Sequence, residues 1–176
     1  MILGFHRRQV IANIKRNVAK KQFNSKAELH DPVLDQEQTN NIVNKYWKYT
    51  SSIGYRMINP VIRGIFAAAS QILTGRCQIE GLENLPDIPT AFVTGNHYNQ
   101  FDVLLMKNLA MKKNKRMFIV VEASNLAMPH LIGWAVRNFD SLPIDKDMHY
   151  LSRVFPKKLK ETLKKPCWVL IYPEEE

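Results

Sequence analysis

The stretch Ala91-Phe92-Val93-Thr94-Gly95-Asn96-His97-Tyr98-Asn99-Gln100-Phe101-Asp102 decides how the rest of the chain is read. Ala91 to Thr94 has the short, β-prone composition of a strand, and Phe101 to Ala110 follows with helical spacing. The same alternation continues toward the C-terminus. Met117 to Val121 reads as a strand, Asn125 to Val136 as a helix and Leu142 to Ile144 as a short strand. Met148 to Lys164 reads as a helix and Trp168 to Tyr172 as a last strand. Strands alternating with helices of this length predict an α/β domain over 76–176, with a largely parallel sheet flanked by helices. In open sheets of that kind ligands bind beyond the carboxyl ends of the strands.

Residues 1–75 have a different texture and are expected to form a separate helical region. From Asn41 to Thr74, Ile42, Tyr46, Tyr49, Ile53, Met57, Val61, Ile65 and Ile72 keep helical spacing, and Pro60 after Asn59 predicts a break between two consecutive helices. Tyr46, Trp47, Tyr49 and Tyr55 suit a membrane interface or, more often at this spacing, a packed core. Residues 1–27 carry seven basic side chains and no acidic one, with Phe5, Ile11, Ile14 and Val18 at roughly helical intervals. That is a basic amphipathic arm, able to lie at a membrane surface or to stay solvated. His30-Asp31-Pro32 and Asp35-Gln36-Glu37-Gln38 read as a polar linker.

The whole chain has 176 residues, 45% of them apolar, and its 25 Lys and Arg against 16 Asp and Glu give a net charge of +9. Such a chain is globular rather than disordered, and its charge asks for an anionic partner. The most apolar run, Val61 to Leu73, is interrupted by Arg63 and Gln71, so a spanning helix is not expected. The first residues lack the order of a signal peptide, so the chain is expected to stay in the cytosol. Cys77 and Cys167 stand far apart with no ligand spacing around them, and both are expected to be buried thiols; no metal is expected.

Three polar groups fall just after strands. The first is Asn96-His97, with Asp102 five positions past the histidine. A carboxylate in the first turn of the next helix can orient an imidazole that takes a proton from a hydroxyl, although isolated His-x4-Asp pairs are common. The second is Ile144-Asp145-Lys146, preceded by Gly133-Trp134 and Arg137, where Lys146 suits a phosphate and Arg137 a helper role. Either cation would otherwise be ordinary surface charge. The third is Tyr172-Pro173-Glu174 after the apolar run Trp168 to Ile171.

Taken in order, Pro86, Asn96-His97-x4-Asp102, Gly133-Trp134 leading to Ile144-Asp145-Lys146, and Tyr172-Pro173-Glu174 resemble the glycerolipid acyltransferases, the 1-acylglycerol-3-phosphate acyltransferases in particular. The lead-in Ile79-Glu80-Gly81-Leu82-Glu83-Asn84-Leu85-Pro86 is similar to that family's as well. The resemblance runs from about Gln78 to Glu176 and implies a glycerol-phosphate acyltransferase-like α/β fold. By it, His97 is the catalytic base that activates the acceptor hydroxyl and Asp102 orients it. Asn96, Asn99, Arg137, Lys146, Tyr172, Pro173 and Glu174 become substrate-binding candidates.

The implied reaction moves a fatty acyl group from acyl carrier protein or coenzyme A to a lysophospholipid. It needs no cofactor beyond that acyl donor and takes place at the inner face of the cell membrane, where anionic phospholipid is the partner surface. Three positions depart from the family pattern. Asn99 stands for serine, Lys146 keeps a charge but loses arginine's bidentate fork, and Glu175 replaces a glycine. Family domains also continue past the third motif, so the domain is expected to be C-terminally incomplete. The rival reading is a noncatalytic lipid-surface protein that keeps the fold. Nucleic acid is not expected as a partner, because the basic clusters lack interleaved exposed aromatics or a known binding motif.

Overall fold

The computed structural model describes residues 7–23, 32, 34–96 and 102–173. Three helices come first: α1 (Arg7–Ala19), α2 (Gln36–Thr50) and α3 (Ile53–Thr74). Then follow β1 (Ala91–Thr94), α4 (Asp102–Lys112), β2 (Met117–Glu122), α5 (His130–Asn138), β3 (Ser141–Ile144), α6 (Phe155–Thr162) and β4 (Trp168–Ile171). The strands form one fully parallel sheet in the order β1-β4-β2-β3. The last strand therefore inserts between the first two, and the chain reverses direction across the sheet after β3.

Local chemistry explains where the helices begin. Asp35 caps α2 by accepting from the Gln38 N–H at 2.8 Å, while the Gln38 side chain accepts from the Asp35 N–H at 3.2 Å. The stretch 35–38, read from sequence as linker, is thus a helix start. The expected break at Pro60 lies instead at Ser51-Ser52. Ser51 donates back to the Trp47 carbonyl at 3.1 Å, and the Ser52 hydroxyl accepts from the Tyr55 N–H at 3.2 Å to open α3. Pro60 sits inside α3 on its exposed side. Its missing N–H removes one helical bond, but buried Asn59 and Ile62 on either side hold the helix to the protein. The expected helix over Asn125 to Val136 is split into a 3-10 turn (Ala123–Ala127) and α5, since Pro129 cannot continue the first turn. Helical structure does begin at Met148, and widens into a π turn over Tyr150–Val154 before α6.

Two apolar clusters hold these elements. One packs Ile62 of α3 and Ala110 of α4 onto Met117, Ile119, Trp168 and Leu170 of the sheet, together with Phe139 and Tyr172. The other joins Val43 and Tyr46 of α2 to Ala123, Leu126 and Tyr150. The aromatic stripe offered to a membrane by the sequence is therefore turned inward. Tyr46 donates to the Ser141 carbonyl at 2.7 Å, Trp47 to the Tyr150 hydroxyl at 3.2 Å, and Tyr49 to Asn138 Oδ1 at 2.6 Å. Buried phenols and indoles need such partners. Cys167 is buried as expected, but Cys77, three residues beyond the end of α3, is exposed.

A charged knot ties α3 to the amino ends of β2 and β3. Asp140 is fully buried and accepts from Arg116 Nε at 3.0 Å and Nη2 at 2.6 Å, and from Asn59 Nδ2 at 3.0 Å. Arg63 Nε lies 3.3 Å from the same carboxylate. The bidentate fork satisfies both oxygens, as a buried charge requires. Among the described residues no helix is long and apolar enough to cross a membrane.

Candidate active site

The parallel register brings the sequence motifs to one edge. Ala91 pairs with Trp168 and Thr94 with Ile171, so Gly95 stands level with Tyr172 and Asn96 with Pro173. The Gly95 N–H extends the ladder by donating to the Ile171 carbonyl at 3.4 Å. A Cβ on Gly95 would meet the Tyr172 ring at 3.5 Å. The first and third motifs thus begin side by side at Gly95 and Tyr172, two residues ahead of His97 in the chain. Tyr172 itself is buried in the larger core cluster, and Pro173 after it is exposed. Tyr172 thereby fixes the floor of the edge, while whatever reaches into solvent comes from the residues beyond it.

Asp102 is the first residue of α4, where the positive end of a helix favours a carboxylate. His97, Asn99 and Glu174, the central catalytic and substrate-binding candidates, lie outside the described residues. Asn96 is exposed at the edge, directly ahead of the histidine.

The second motif ends β3, the far strand. Lys146 is exposed, and its backbone N–H donates to Asp145 Oδ1 at 2.7 Å. The other Asp145 oxygen accepts from Gln36 Nε2 at 2.7 Å, which ties the start of α2 to this end of the sheet. Strands in a sheet are spaced ~4.8 Å apart, so three intervals put Lys146 roughly 14 Å from the end of β1. A lysine stem can shorten that gap, and both Lys146 and Asn96 are exposed at this edge.

Arg137 has work of its own. Its Nη1 donates to the Leu126 carbonyl at 2.6 Å and to the Met128 carbonyl at 3.4 Å, pinning the turn that leads into α5. Gly133 is required by the same turn: a Cβ there would come within 1.6 Å of the Met128 carbonyl oxygen. The Gly133-Trp134 signal in the sequence thus marks a close backbone approach at the carboxyl side of β2. Sequence reading missed Glu122. With β2 ending at Val121 it fell outside the strand, but it is the last residue of β2, opposite Ile144 and between the second and third motifs. An acid directly after Met117-Phe118-Ile119-Val120-Val121 was the available signal. Near this edge Tyr150 donates to the Pro143 carbonyl at 2.7 Å, and burial pushes its phenol up to about 12, so it remains a donor at neutral pH.

Comparison with known proteins covers the same part of the chain. The profile of the Acyltransferase family matches residues 76–175. The chain is 30% identical over 122 residues to the chloroplastic 1-acyl-sn-glycerol-3-phosphate acyltransferase LPAT1 of Arabidopsis thaliana, a match covering 68% of this chain and 32% of that protein. It is 28% identical over 100 residues to a 1-acyl-sn-glycerol-3-phosphate acyltransferase of Pseudomonas aeruginosa, covering 56% of this chain and 37% of the relative. The chain thus aligns with about a third of the length of these relatives. No solved structure matches.

Proposed function

The chain belongs to the Acyltransferase family, and from that premise we propose that it transfers a fatty acyl group to the free hydroxyl of lysophosphatidic acid, forming phosphatidic acid in phospholipid synthesis. The donor is the thioester of acyl carrier protein or coenzyme A. Both relatives described above carry the name of this acceptor chemistry. The observation that carries the reading is the pairing of β1 with β4, extended by the bond from the Gly95 N–H to the Ile171 carbonyl, because it sets the first and third motifs side by side at the carboxyl edge of one parallel sheet, where such sheets bind ligands.

In this mechanism the His97 imidazole takes the proton of the acceptor hydroxyl as its oxygen attacks the thioester carbonyl. The tetrahedral intermediate collapses with loss of the C–S bond, and the leaving thiolate takes the proton back from the imidazolium. Asp102 fixes the imidazole tautomer and stabilises its charged form. Lys146 offers its ammonium to the acceptor's phosphate, and Asn96, Asn99, Pro173 and Glu174 border the acceptor. Holding donor and acceptor together supplies the larger share of the acceleration. The protein works peripherally at the inner face of the membrane, where its acceptor resides.

His97→Ala tests the assignment. The variant is expected to lose transfer from acyl-coenzyme A or acyl carrier protein to lysophosphatidic acid by about 10² to 10⁴-fold, with vesicle binding unchanged. Equal turnover by variant and wild type removes His97 as the base. Lipid binding without turnover by the wild-type chain favours the noncatalytic reading.

A further inference from the structure

Between Met148 and Lys165 the chain carries six Lys and Arg against one acid, Glu161. Arg153, Lys157, Lys160 and Lys164 are exposed. They stand four, three and four residues apart, so they form one row over ~17 Å along the π turn, α6 and the turn that ends it. Half-buried Val154, Phe155, Leu159 and Thr162 take the opposite side. Lys158, a cation on that packed side, lies 5.3 Å from the centroid of the Trp47 ring and pairs with Glu161 at 3.3 Å. The row itself has no ion pair among the described residues. Helix stability does not account for it, because like charges at these spacings repel one another. The helix dipole favours cations only near the carboxyl end, where Lys160 and Lys164 lie, and not at Arg153.

We propose that this row docks an acidic protein that delivers the acyl group, an acyl carrier protein bearing its thioester on a flexible arm. The inference rests on the acyltransferase reading above and names the surface that receives its donor. Complementary charge is what such a surface uses to steer and orient a partner. Between His149 and Pro173 no large apolar side chain is exposed, so the row offers charge with nothing to insert into an apolar phase. Its position favours a soluble partner as well. Phe118 and Leu142 line a cleft together with Lys158, Glu161 and Thr162 of α6. Phe118 alternates with Met117 and Ile119, which pack in one cluster with Ile62 of α3 and Ala110 of α4. α6 and α3 therefore lie on opposite faces of the sheet, and a bilayer touching the exposed side of α3 would leave the row open. The row also starts in the right place. Helical structure begins two residues past Lys146, where Asp147 accepts from the Tyr150 N–H at 2.6 Å. It thus leads away from the carboxyl edge that holds the candidate site, and a carrier lying along it can extend its arm to that edge.

Lys157→Glu with Lys160→Glu tests this in the full chain, with acyl carrier protein and coenzyme A as alternative carriers of the same fatty acyl group. The melting curve should stay in place, because both side chains face outward. Binding of holo-acyl carrier protein at low salt, read by fluorescence anisotropy, should weaken by about tenfold, and wild-type binding should itself fall as salt screens the charges. KM for the carrier-protein donor should rise in step, while kcat and KM with acyl-coenzyme A keep their wild-type values. Lys157→Gln with Lys160→Gln should fall between the two, and carries the test if the charge reversal lowers Tm. Carrier binding unchanged in both variants would overturn the proposal, as would an equal loss with both donors. Carrier binding left intact while binding to phosphatidylglycerol vesicles is lost would show that lipid occupies the row, and would overturn it too. His97→Ala should bind the carrier like wild type. Carrier binding through the row without acyl transfer would therefore sink the enzymatic reading alone, and transfer from acyl-coenzyme A without carrier binding the docking row alone.

Discussion

Lys107 on α4 donates from Nζ to the Met117 carbonyl at 2.6 Å and sits 4.0 Å from the centroid of the Phe139 ring. Burial is the main influence on it, lowering its pKa from 10.5 to about 8; Asp140 opposes that shift, whereas Arg63 and Arg116 add to it. Between those two values the folded chain has released a proton that the unfolded chain still holds, so stability from this group rises with pH. Below the lower value the folded state bears the full penalty of a buried ammonium. Lys107→Met is therefore expected to gain most over wild type near pH 7, apart from a pH-independent loss of about 1 kcal/mol for the Met117 hydrogen bond. Its advantage should shrink by up to roughly 1.4 kcal/mol per pH unit on the way from pH 8 to 10.5. Urea unfolding of both proteins across that range checks this, and a constant difference would contradict it. Nothing in the bare sequence marks Lys107 among the chain's 25 basic residues. Its burial arises only when α4 is laid against β2.

At the scale of single elements, α5 shows how a short helix depends on one residue without a side chain. The Met128 carbonyl faces Gly133 so closely that an added Cβ would lie 1.6 Å from its oxygen and 2.9 Å from Arg137 Nη1. The oxygen belongs to the backbone of the turn and cannot swing aside as a flexible side chain would. Gly133→Ala is expected to destabilise the protein by about 3 kcal/mol, a fall in Tm of roughly 6 to 12 °C for a domain of this size. A melting temperature within a degree or two of wild type would show that the turn yields easily. α3 makes the complementary point. Pro60 is the strongest breaker in its stretch of sequence, yet the chain breaks eight residues earlier, where Ser51 and Ser52 offer the backbone local partners. Propensity made Pro60 the better guess, and tertiary burial of its neighbours overrode it.

For the whole molecule, the charge on two helices bears on the membrane surface proposed as a partner. α1 carries no acid in its first turn and has Arg16 in its last, with Ile11, Ile14 and Val18 exposed, and α3 carries Arg56 beside exposed Ile53 and Met57. The two should contribute differently to vesicle binding. Surface attraction is screened as the Debye length falls from ~10 Å at 0.1 M to ~3 Å at 1 M salt, whereas apolar insertion persists. Lys15→Glu with Arg16→Glu should therefore weaken binding to phosphatidylglycerol vesicles sharply at low salt and make little difference at high salt. Co-sedimentation at the two ionic strengths measures both contributions, and equal binding at low salt would remove α1 as an electrostatic anchor.

Alternation of short β-prone runs with helical spacing after residue 76 was enough to identify the α/β class and the parallel sheet, because a parallel pair must be joined by a crossover and these intervals are of crossover length. The order of polar motifs after strand ends was enough to name the family, and it placed Asn96, Lys146 and Tyr172 at the carboxyl edge. Strand order was not legible. Insertion of β4 between β1 and β2, and with it the placing of Tyr172 beside Gly95, depends on pairings between residues more than 50 positions apart. The fate of the aromatics was undecided for the same reason. Tyr46, Trp47 and Tyr49 have the same helical spacing whether they face lipid or core, and only the Ser141 carbonyl, the Tyr150 hydroxyl and the Asn138 side chain brought beside them by the fold give their polar ends a buried partner. Once those rings turn inward, the aliphatic side of α3 is the face left to solvent.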